Sequence, residues 1–256
     1  MVLNLPMEDN KKLIKIIENL KKSQEIEQYW DSANMIAVNR MNINDHGKVH
    51  AAIVSNVALR LLRILMDSGL EPAMVKDHKM TKHDAEVVVV LAGLLHDVGH
   101  AVHREKHAEF SIVLASGILD KLLPAAYDTK EAVIVKGEVL HAIICHHVDY
   151  TPLTLEAGCV RLADALDAKE GRARIPFEKG RVSIHSVSAM AIKDIKISKG
   201  KNVPVSIEVV MKNSAGIFQV DELIKAKLNN SGLEEYVEII ARIEGEEEKI
   251  VREFRL

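Results

Sequence analysis

Residues 87–100 read VVVVLAGLLHDVGH. Residues 85–95 are apolar nearly all round, with no polar stripe for solvent, so a helix here, capped by Thr81, is expected at the centre of a domain. The run ends on His96, Asp97 and Gly99. Adjacent side chains on a helix diverge by roughly 100°, yet an imidazole nitrogen and a longer-reaching carboxylate can grip one cation from two sides. The carboxylate can also bridge two cations while the imidazole holds one of them. Alone, such a pair reads first as a helix cap or a salt bridge, so its meaning depends on what surrounds it.

Of the twelve histidines, eleven fall between His46 and His147, and only His185 lies outside. Histidine is the commonest metal ligand and general acid or base, so this crowding points to a site in the first two thirds of the chain. His46 and His50 are spaced i, i+4 and share one helix face, where they can flank a site. His146 and His147 follow an apolar stretch, residues 139–145, and Asp164 sits in RLADALDA on the next helix. Leu162, Ala163, Ala165 and Leu166 mark that region as buried, so the Asp164 carboxylate is costly there unless a cation compensates it. His78, His83 and His185 fit solvated or structural roles. His141, five residues before His146 and rotated off its face, fits the core or a layer behind the ligands.

The flanking texture is helical up to about residue 169. Residues 9–28 carry Leu13, Ile14, Ile16, Ile17, Leu20 and Ile26 at helical spacing among lysines and glutamates, as one amphipathic helix would. A second helix, carrying His50, is expected from Asn44 or Asp45 to Gly69. Others are expected over 106–123, 130–146 and 155–168, interrupted by Pro124 and Pro152. Beyond Lys169 the polar, Gly- and Pro-punctuated EGRARIPFEKGR gives way to alternating apolar and polar residues. Strands are expected over 187–197, 203–211, 237–244 and 249–254, with a helix over 219–228. The expected fold class is mainly α: a lead-in with an accessory helix over 1–44, an all-helical bundle over 45–175 and a small α+β module over 176–256.

The 256 residues carry 34 Lys and Arg against 37 Asp and Glu, a net charge of −3, which disfavours a purely electrostatic nucleic-acid binder. Four Phe, four Tyr and one Trp leave little material for a base-stacking platform. At 48% hydrophobic and 28% charged, the composition is that of a globular protein, not of a disordered or fibrous one. Cys145 and Cys159 lack the number and spacing of a disulfide framework or a zinc ribbon and read as small buried residues. The longest apolar run, 87–95, stops far short of the roughly 20 residues a membrane helix needs. MVLNLPMEDNKKL shows no basic-then-apolar leader pattern, so a cytoplasmic location without a membrane partner is expected. No P-loop, GxSxG turn or GxGxxG after a strand is present.

The order His50, His96-Asp97, Asp164 resembles the H…HD…D signature of the HD superfamily of metal-dependent phosphohydrolases. LAGLLHDVGH, HAEFSIVLA, and HHVDYTPLTLEAGCVRLADALDA followed by GRAR are similar to the HD domain of ribonuclease Y and its archaeal relatives. The likeness covers roughly residues 45–174, and the β-rich tail is similar to the segment after that HD domain. The resemblance implies an all-helical domain in which His50, His96, Asp97 and Asp164 hold one divalent ion. By analogy with members richer in histidine, His107, His146 and His147 would hold a second ion, with Asp97 bridging. Many relatives have lysine where His100 stands, a position held to face phosphate. Histidine occurs there in triphosphohydrolase relatives, which HDVGHAVHREKH loosely resembles, so the substrate within the class stays open.

The chemistry of phosphoester cleavage agrees with that resemblance. It requires a strong nucleophile at neutral pH, which a bound cation supplies by lowering the pKa of its water; two cations about 3.5–4 Å apart also neutralise the attacking and leaving oxygens. Mixed imidazole and carboxylate donors suit Mn, Fe, Co, Ni or Zn better than Mg alone. His100 or His103 could return a proton to the leaving oxygen, because a free imidazole titrates near neutral pH. His46 fits substrate or proton work, or a cap on the helix carrying His50. Arg172 and Arg174 fit a phosphate clamp or solvated linker charges. Lys48 and Arg104, near the expected ligands, fit phosphate neutralisation or simple exposure. The expected activity, with Asp97 central to it, is metal-dependent hydrolysis of a phosphoester bond in a nucleotide or short oligonucleotide. The alternative is a non-catalytic metal- or nucleotide-binding sensor whose C-terminal module forms a homo-oligomer through its edge strands.

Overall fold

The computed structural model describes residues 5–7, 9–169 and 184–245. In chain order the helices of the bundle are α1 (Lys11–Lys22), α2 (Gln24–Asn34), α3 (Lys48–Asp67), the single turn α4 (Ala73–Lys76), α5 (Lys82–Leu95), α6 (His107–Leu122), α7 (Thr129–Ile144) and α8 (Leu155–Ala165). Asp84 reaches back to accept from Thr81 N at 2.8 Å and from its hydroxyl at 2.6 Å, which starts α5. From Asp84 to Leu95 every residue of α5 is buried, because α3, α7 and α8 pack around it, as a helix without a polar stripe requires. α3 is 20 residues long and apolar enough to cross a membrane, yet 61% of its apolar window is buried inside the bundle. Core packing against α5 and α8 accounts for that composition; single polar residues interrupt α3, so no long apolar run shows in the sequence.

Residues 9–28, expected as one helix, form two. Ser23 is extended (φ −81°, ψ 107°), ends α1, and caps α2 by accepting from Ile26 N at 3.3 Å. A serine hydroxyl offers the backbone an alternative to helix continuation that apolar spacing does not register. α2 continues into a π-helical turn, Met35–Arg40, and is tied to the bundle where Trp30 Nε1 donates to the Leu94 carbonyl at 2.9 Å. α3 begins at Lys48 rather than at 44–45. Asp45 caps it from outside, its Oδ1 accepting from Gly47 N at 3.2 Å and His50 N at 3.3 Å.

Beyond residue 183 the chain forms α9 (Ile184–Met190), β1 (Ile192–Lys199) and β2 (Val205–Met211). A helix we label α10 comes next, assembled from Gly216–Gln219, a π-helical turn Val220–Lys225 and Ala226–Leu228, and then β3 (Val237–Ile243). The sheet order is β1-β2-β3; β1 is antiparallel to β2, and β3 runs parallel to β2 with Val237 opposite Val205. The fold is therefore a helical bundle followed by a small α+β module. Residues 187–190 are helical, not part of β1: Val187, Ser188 and Ala189 are buried in succession, and so short a run does not distinguish helix from strand by pattern. The expected strand over 249–254 and the expected boundary at 175 lie outside the described residues. The module packs on α3 through β1 and β2, and on α8 through α10. Those two helices carry His50 and Asp164.

Candidate metal centre

Helix ends leave polar backbone groups without intrahelical partners, and the chemistry-bearing side chains of this chain gather where five such ends meet. His50 lies in the first turn of α3, His96 caps the end of α5, His107 opens α6, His146 follows α7 and Asp164 lies in the last turn of α8. Between His96 and His107 the chain makes a short 3-10 turn, Val98–Ala101. Gly99 allows it to lie directly on α6: its amide donates to Ser111 Oγ at 2.8 Å, and a Cβ there would overlap the His107 carbonyl oxygen. His50, His96, Asp97, His100, His107 and His146 are all buried.

Asp97 divides this cluster between its two oxygens. Oδ2 lies 2.7 Å from His46 Nδ1 and 3.3 Å from Nε2 of both His50 and His96. Oδ1 lies 3.5 Å from Nε2 of both His100 and His107 and 3.7 Å from His146 Nε2. Asp164 Oδ1 joins the first set, 3.1 Å from His50 Nε2 and 3.7 Å from His96 Nε2. Four groupings have ligand atoms within 4.8 Å of one another: His46-His50-Asp97, His50-His96-Asp164, His96-Asp97-His146 and Asp97-His100-His107.

The tautomers follow from the hydrogen bonds. His96 Nδ1 donates to the Gly93 carbonyl at 2.9 Å, His107 Nδ1 to the Arg104 carbonyl at 3.0 Å, and His146 Nδ1 to the Ile143 carbonyl at 2.6 Å. A carbonyl only accepts, so each Nδ1 carries hydrogen and each Nε2 of a neutral ring presents a lone pair. His50 Nδ1 donates to Asp167 Oδ2 at 2.7 Å, the carboxylate-histidine arrangement that orients metal-ligating imidazoles. His50 and His96 then bring their Nε2 atoms to 3.1 Å, and His107 and His146 bring theirs to 3.0 Å. Two lone pairs that close repel, so each pair needs positive charge between its nitrogens: a proton on His96 closes the first and a metal ion can replace it, whereas His107 and His146, both neutral, need a cation from outside. The donor set fits a divalent cation.

Among the side chains themselves, His96 carries the compensating charge. Burial opposes its cation, but Asp97 and Asp164 outweigh burial and hold the imidazole up to about 10. Burial likewise opposes ionised Asp97 and Asp164, yet both carboxyls lie well below their ordinary range: His96, His46 and His100 stabilise Asp97, and Lys227, His50 and His96 stabilise Asp164. Burial pushes His107 down to about 4 and His146 well below its usual value. Both rings are therefore neutral at pH 7, the state in which an imidazole ligates a metal.

The other expected residues are distributed unevenly. His46 lines the cavity beside the cluster and stacks on His100, centroids 4.4 Å apart. His100 Nε2 lies 3.0 Å from Arg104 Nη1, which donates to it, and its Nδ1 is buried without a partner. Arg104 also lines the cavity. His147, expected among the ligands, sits at the rim, half-buried, with Nδ1 3.2 Å from Asp149 Oδ2 and outside all four groupings. His103 is exposed and accepts from Glu105 N at 3.0 Å. Lys48 pairs with Glu27 at 2.6 Å and does not line the cavity. Arg172 and Arg174 lie outside the described residues. His141 accepts from Leu153 N at 3.1 Å, bracing the loop before α8.

Among the described residues, two that touch the ligand set, Asp167 and Lys227, were not anticipated. Asp167, behind His50, is three positions past Asp164 in DALD, a spacing that keeps it near the same helix face. Lys227 comes from α10, with Nζ 2.7 Å from Asp164 Oδ2; nothing local in the sequence distinguishes it from its exposed neighbour Lys225.

Residues 50–169 match the model of the HD domain family. The chain is 42% identical over 231 residues to the uncharacterized protein MJ1020 of Methanocaldococcus jannaschii, covering 90% of this chain and 89% of that one. It is 38% identical over 147 residues to ribonuclease Y of Alkaliphilus metalliredigens, covering 54% of this chain and 28% of that one. With ribonuclease Y of Desulforudis audaxviator it shares 29% identity over 175 residues, 62% of this chain and 29% of that one. The likeness to ribonuclease Y thus spans under a third of the length of those two proteins. An HD turn set between converging imidazoles, the family match and the near-full-length relative agree: this chain belongs to the HD domain family.

Proposed function

We propose that this protein is a metal-dependent phosphohydrolase that cleaves a phosphoester bond in a nucleotide or short oligonucleotide. The observation that carries the reading is the pair of imidazole pairs, each with Nδ1 committed and Nε2 atoms about 3 Å apart, set on opposite oxygens of Asp97. His50, His96, Asp97 and Asp164 would hold one divalent cation. His107 and His146 would hold a second, with Asp97 shared between the two and His147 at the rim. Imidazole and carboxylate donors favour Mn, Fe, Co, Ni or Zn over Mg alone. Such a cation supplies a Lewis acid that activates water and offsets phosphate charge.

The chain's own residues do the rest. Asp167 and the carbonyls of Gly93, Arg104 and Ile143 fix the rings, so little reorganisation accompanies binding. The adjoining cavity, about 340 Å³ and lined by His46, Arg104 and Lys169 among others, lies at the lower end of the range for small-ligand sites. That size favours a nucleotide, or the terminal residue of a short oligonucleotide. The name ribonuclease Y borne by relatives supports the phosphodiester branch of the proposal. His103 and Lys48 take no part in it.

The test is a screen of nucleotides and labelled short RNA with the full chain, stripped of metal and reloaded with Mn, Co, Ni or Zn. Cation-dependent release of phosphate, nucleoside or nucleotide is expected, and none from Asp97→Ala. Turnover that survives in Asp97→Ala at the parent's rate, or that proceeds after complete removal of metal, would reject the mechanism.

A further inference from the structure

The cavity beside the metal centre is only partly a product of the bundle. Ala189 on α9 and Gln219, Leu223 and Lys227 on α10 form one of its walls, so the C-terminal module closes the site. Lys227 reaches the ligand set itself. It is 8% exposed, and its Nζ lies 2.7 Å from Asp164 Oδ2 and 2.5 Å from the His146 carbonyl oxygen. It thereby touches one residue from each of the two proposed cation sets.

This placement is built. Arg161, itself buried, donates through Nε to the Lys227 carbonyl at 3.2 Å and through Nη1 to the Tyr150 carbonyl at 2.8 Å. One turn earlier on α8, a Cβ on Gly158 would stand 2.5 Å from the Ser231 carbonyl oxygen. Only glycine lets the turn that follows α10 approach that closely. Gly158, Arg161 and Asp164 come at intervals of three, so successive turns of α8 receive, anchor and pair with the same stretch of the module.

A buried ion pair adds little stability over an apolar one, so pairing with Asp164 alone does not account for a lysine here. An ammonium has three N–H donors. Asp164 and His146 take two of them, and the residue opens onto a cavity whose bundle side carries Arg104. We propose that Lys227 is an anion-binding residue of the substrate site, its remaining donor taking a non-bridging oxygen of the phosphoryl group. The C-terminal module is then an integral part of the substrate site. This rests on the phosphoester reading above, but it makes a separate prediction: a cation at this point attracts phosphate and repels a divalent metal, so removing it moves the two affinities in opposite directions.

The experiment titrates the full chain with Mn²⁺, then titrates the Mn²⁺-loaded protein with inorganic phosphate, for the parent, Lys227→Met and Lys227→Arg. Lys227→Met is expected to weaken phosphate binding by roughly tenfold or more while binding Mn²⁺ at least as tightly as the parent. Lys227→Arg should restore phosphate affinity to within about threefold of the parent. Should Lys227→Met lose its cooperative melt, Lys227→Gln, which keeps a donor for Asp164 without the charge, carries the same expectation. Phosphate bound undiminished by a folded neutral variant, phosphate and Mn²⁺ weakened together, or a parent that binds Mn²⁺ but no phosphate would each overturn the assignment. Expected binding without hydrolysis of any nucleotide would leave Lys227 in place and overturn the proposed reaction instead.

Discussion

Replacing Asp167 with alanine tests how far the centre depends on a residue that is itself outside every ligand grouping. His50 is held from one side by Asp167 Oδ2, 2.7 Å from Nδ1; on the other side Nε2 lies 3.1 Å from His96 Nε2, 3.1 Å from Asp164 Oδ1 and 3.3 Å from Asp97 Oδ2. Without the carboxylate, Nδ1 loses the charged acceptor that holds its hydrogen, and the tautomer with hydrogen on Nε2 points a proton where the cation should sit. Loss of such a partner costs about 10–100-fold in metal affinity, or about 1.4–2.8 kcal/mol at 1.4 kcal/mol per decade. At saturating metal, stabilisation grows as RT ln(1 + [L]/Kd), so the same deficit appears in the melt. With about 2–4 °C per kcal/mol for a chain of this size, the Mn²⁺-induced rise in Tm should shrink by roughly 3–11 °C in Asp167→Ala. Asp167→Asn, which keeps an acceptor but not the charge, should fall between the two. Calorimetric Mn²⁺ titration and thermal melts with and without Mn²⁺ measure both quantities. An Asp167→Ala variant whose Kd stays within threefold of the parent and whose metal-induced shift is unchanged would refute the orienting role of this carboxylate.

Gly99→Ala should destabilise the protein by about 1–3 kcal/mol, because the new methyl overlaps the His107 carbonyl oxygen. Urea unfolding measures the loss, and Mn²⁺ affinity should fall with it, since the same displacement parts His107 from Asp97. Burial raises the pKa of Asp84, but hydrogen bonds from Lys12, Thr81 and Tyr127 outweigh it and hold the carboxyl below its ordinary value. The folded-state pKa therefore lies below the unfolded one. The stabilisation is complete above the unfolded value, about 3.9, and is lost as pH falls through the folded value. Between pH 5 and pH 2.5, the denaturation midpoint of the parent should decline more steeply than that of Asp84→Asn; parallel declines would show that Asp84 contributes nothing to acid sensitivity.

The central helix was legible in the sequence because a run apolar on every side has only one stable place, the interior, and because His96 and Asp97 fall where that run ends. His46 and His50 were legible by their shared face, and Asp164 by a carboxylate set among buried alanines and leucines. His146 and His147 show where such reading stops. They are adjacent, with equal claims by composition, yet only His146 turns inward, because its Nδ1 bonds back to the Ile143 carbonyl in the closing turn of α7. Which of two neighbours faces a cavity is decided by how a helix terminates, within one residue, and pattern does not resolve that. Ser23 and residues 187–190 misled for a related reason: apolar spacing reports a face, not where a hydroxyl interrupts the backbone or whether a short run curls. Lys227 carried no local signal at all. A lysine on an amphipathic helix looks the same whether its ammonium reaches water or turns inward, and only the approach to Gly158 of the turn that follows α10 decides it.

That approach also bears on how the two parts of the chain depend on each other. The bundle supplies the imidazoles and carboxylates, but three buried or half-buried carboxylates beside five or more imidazoles are costly to assemble unless charges balance locally. His96 meets part of that need within the bundle; Lys227 meets part of it from outside. The module additionally packs on α3 and α8, the helices that set His50 against Asp164. A perturbation of the sheet or of α10 is therefore transmitted to the centre by two routes, one steric through α3 and one electrostatic through Lys227. Separating them requires variants that leave packing alone and change charge only, which is why substitutions at Lys227 are more informative than removal of the module.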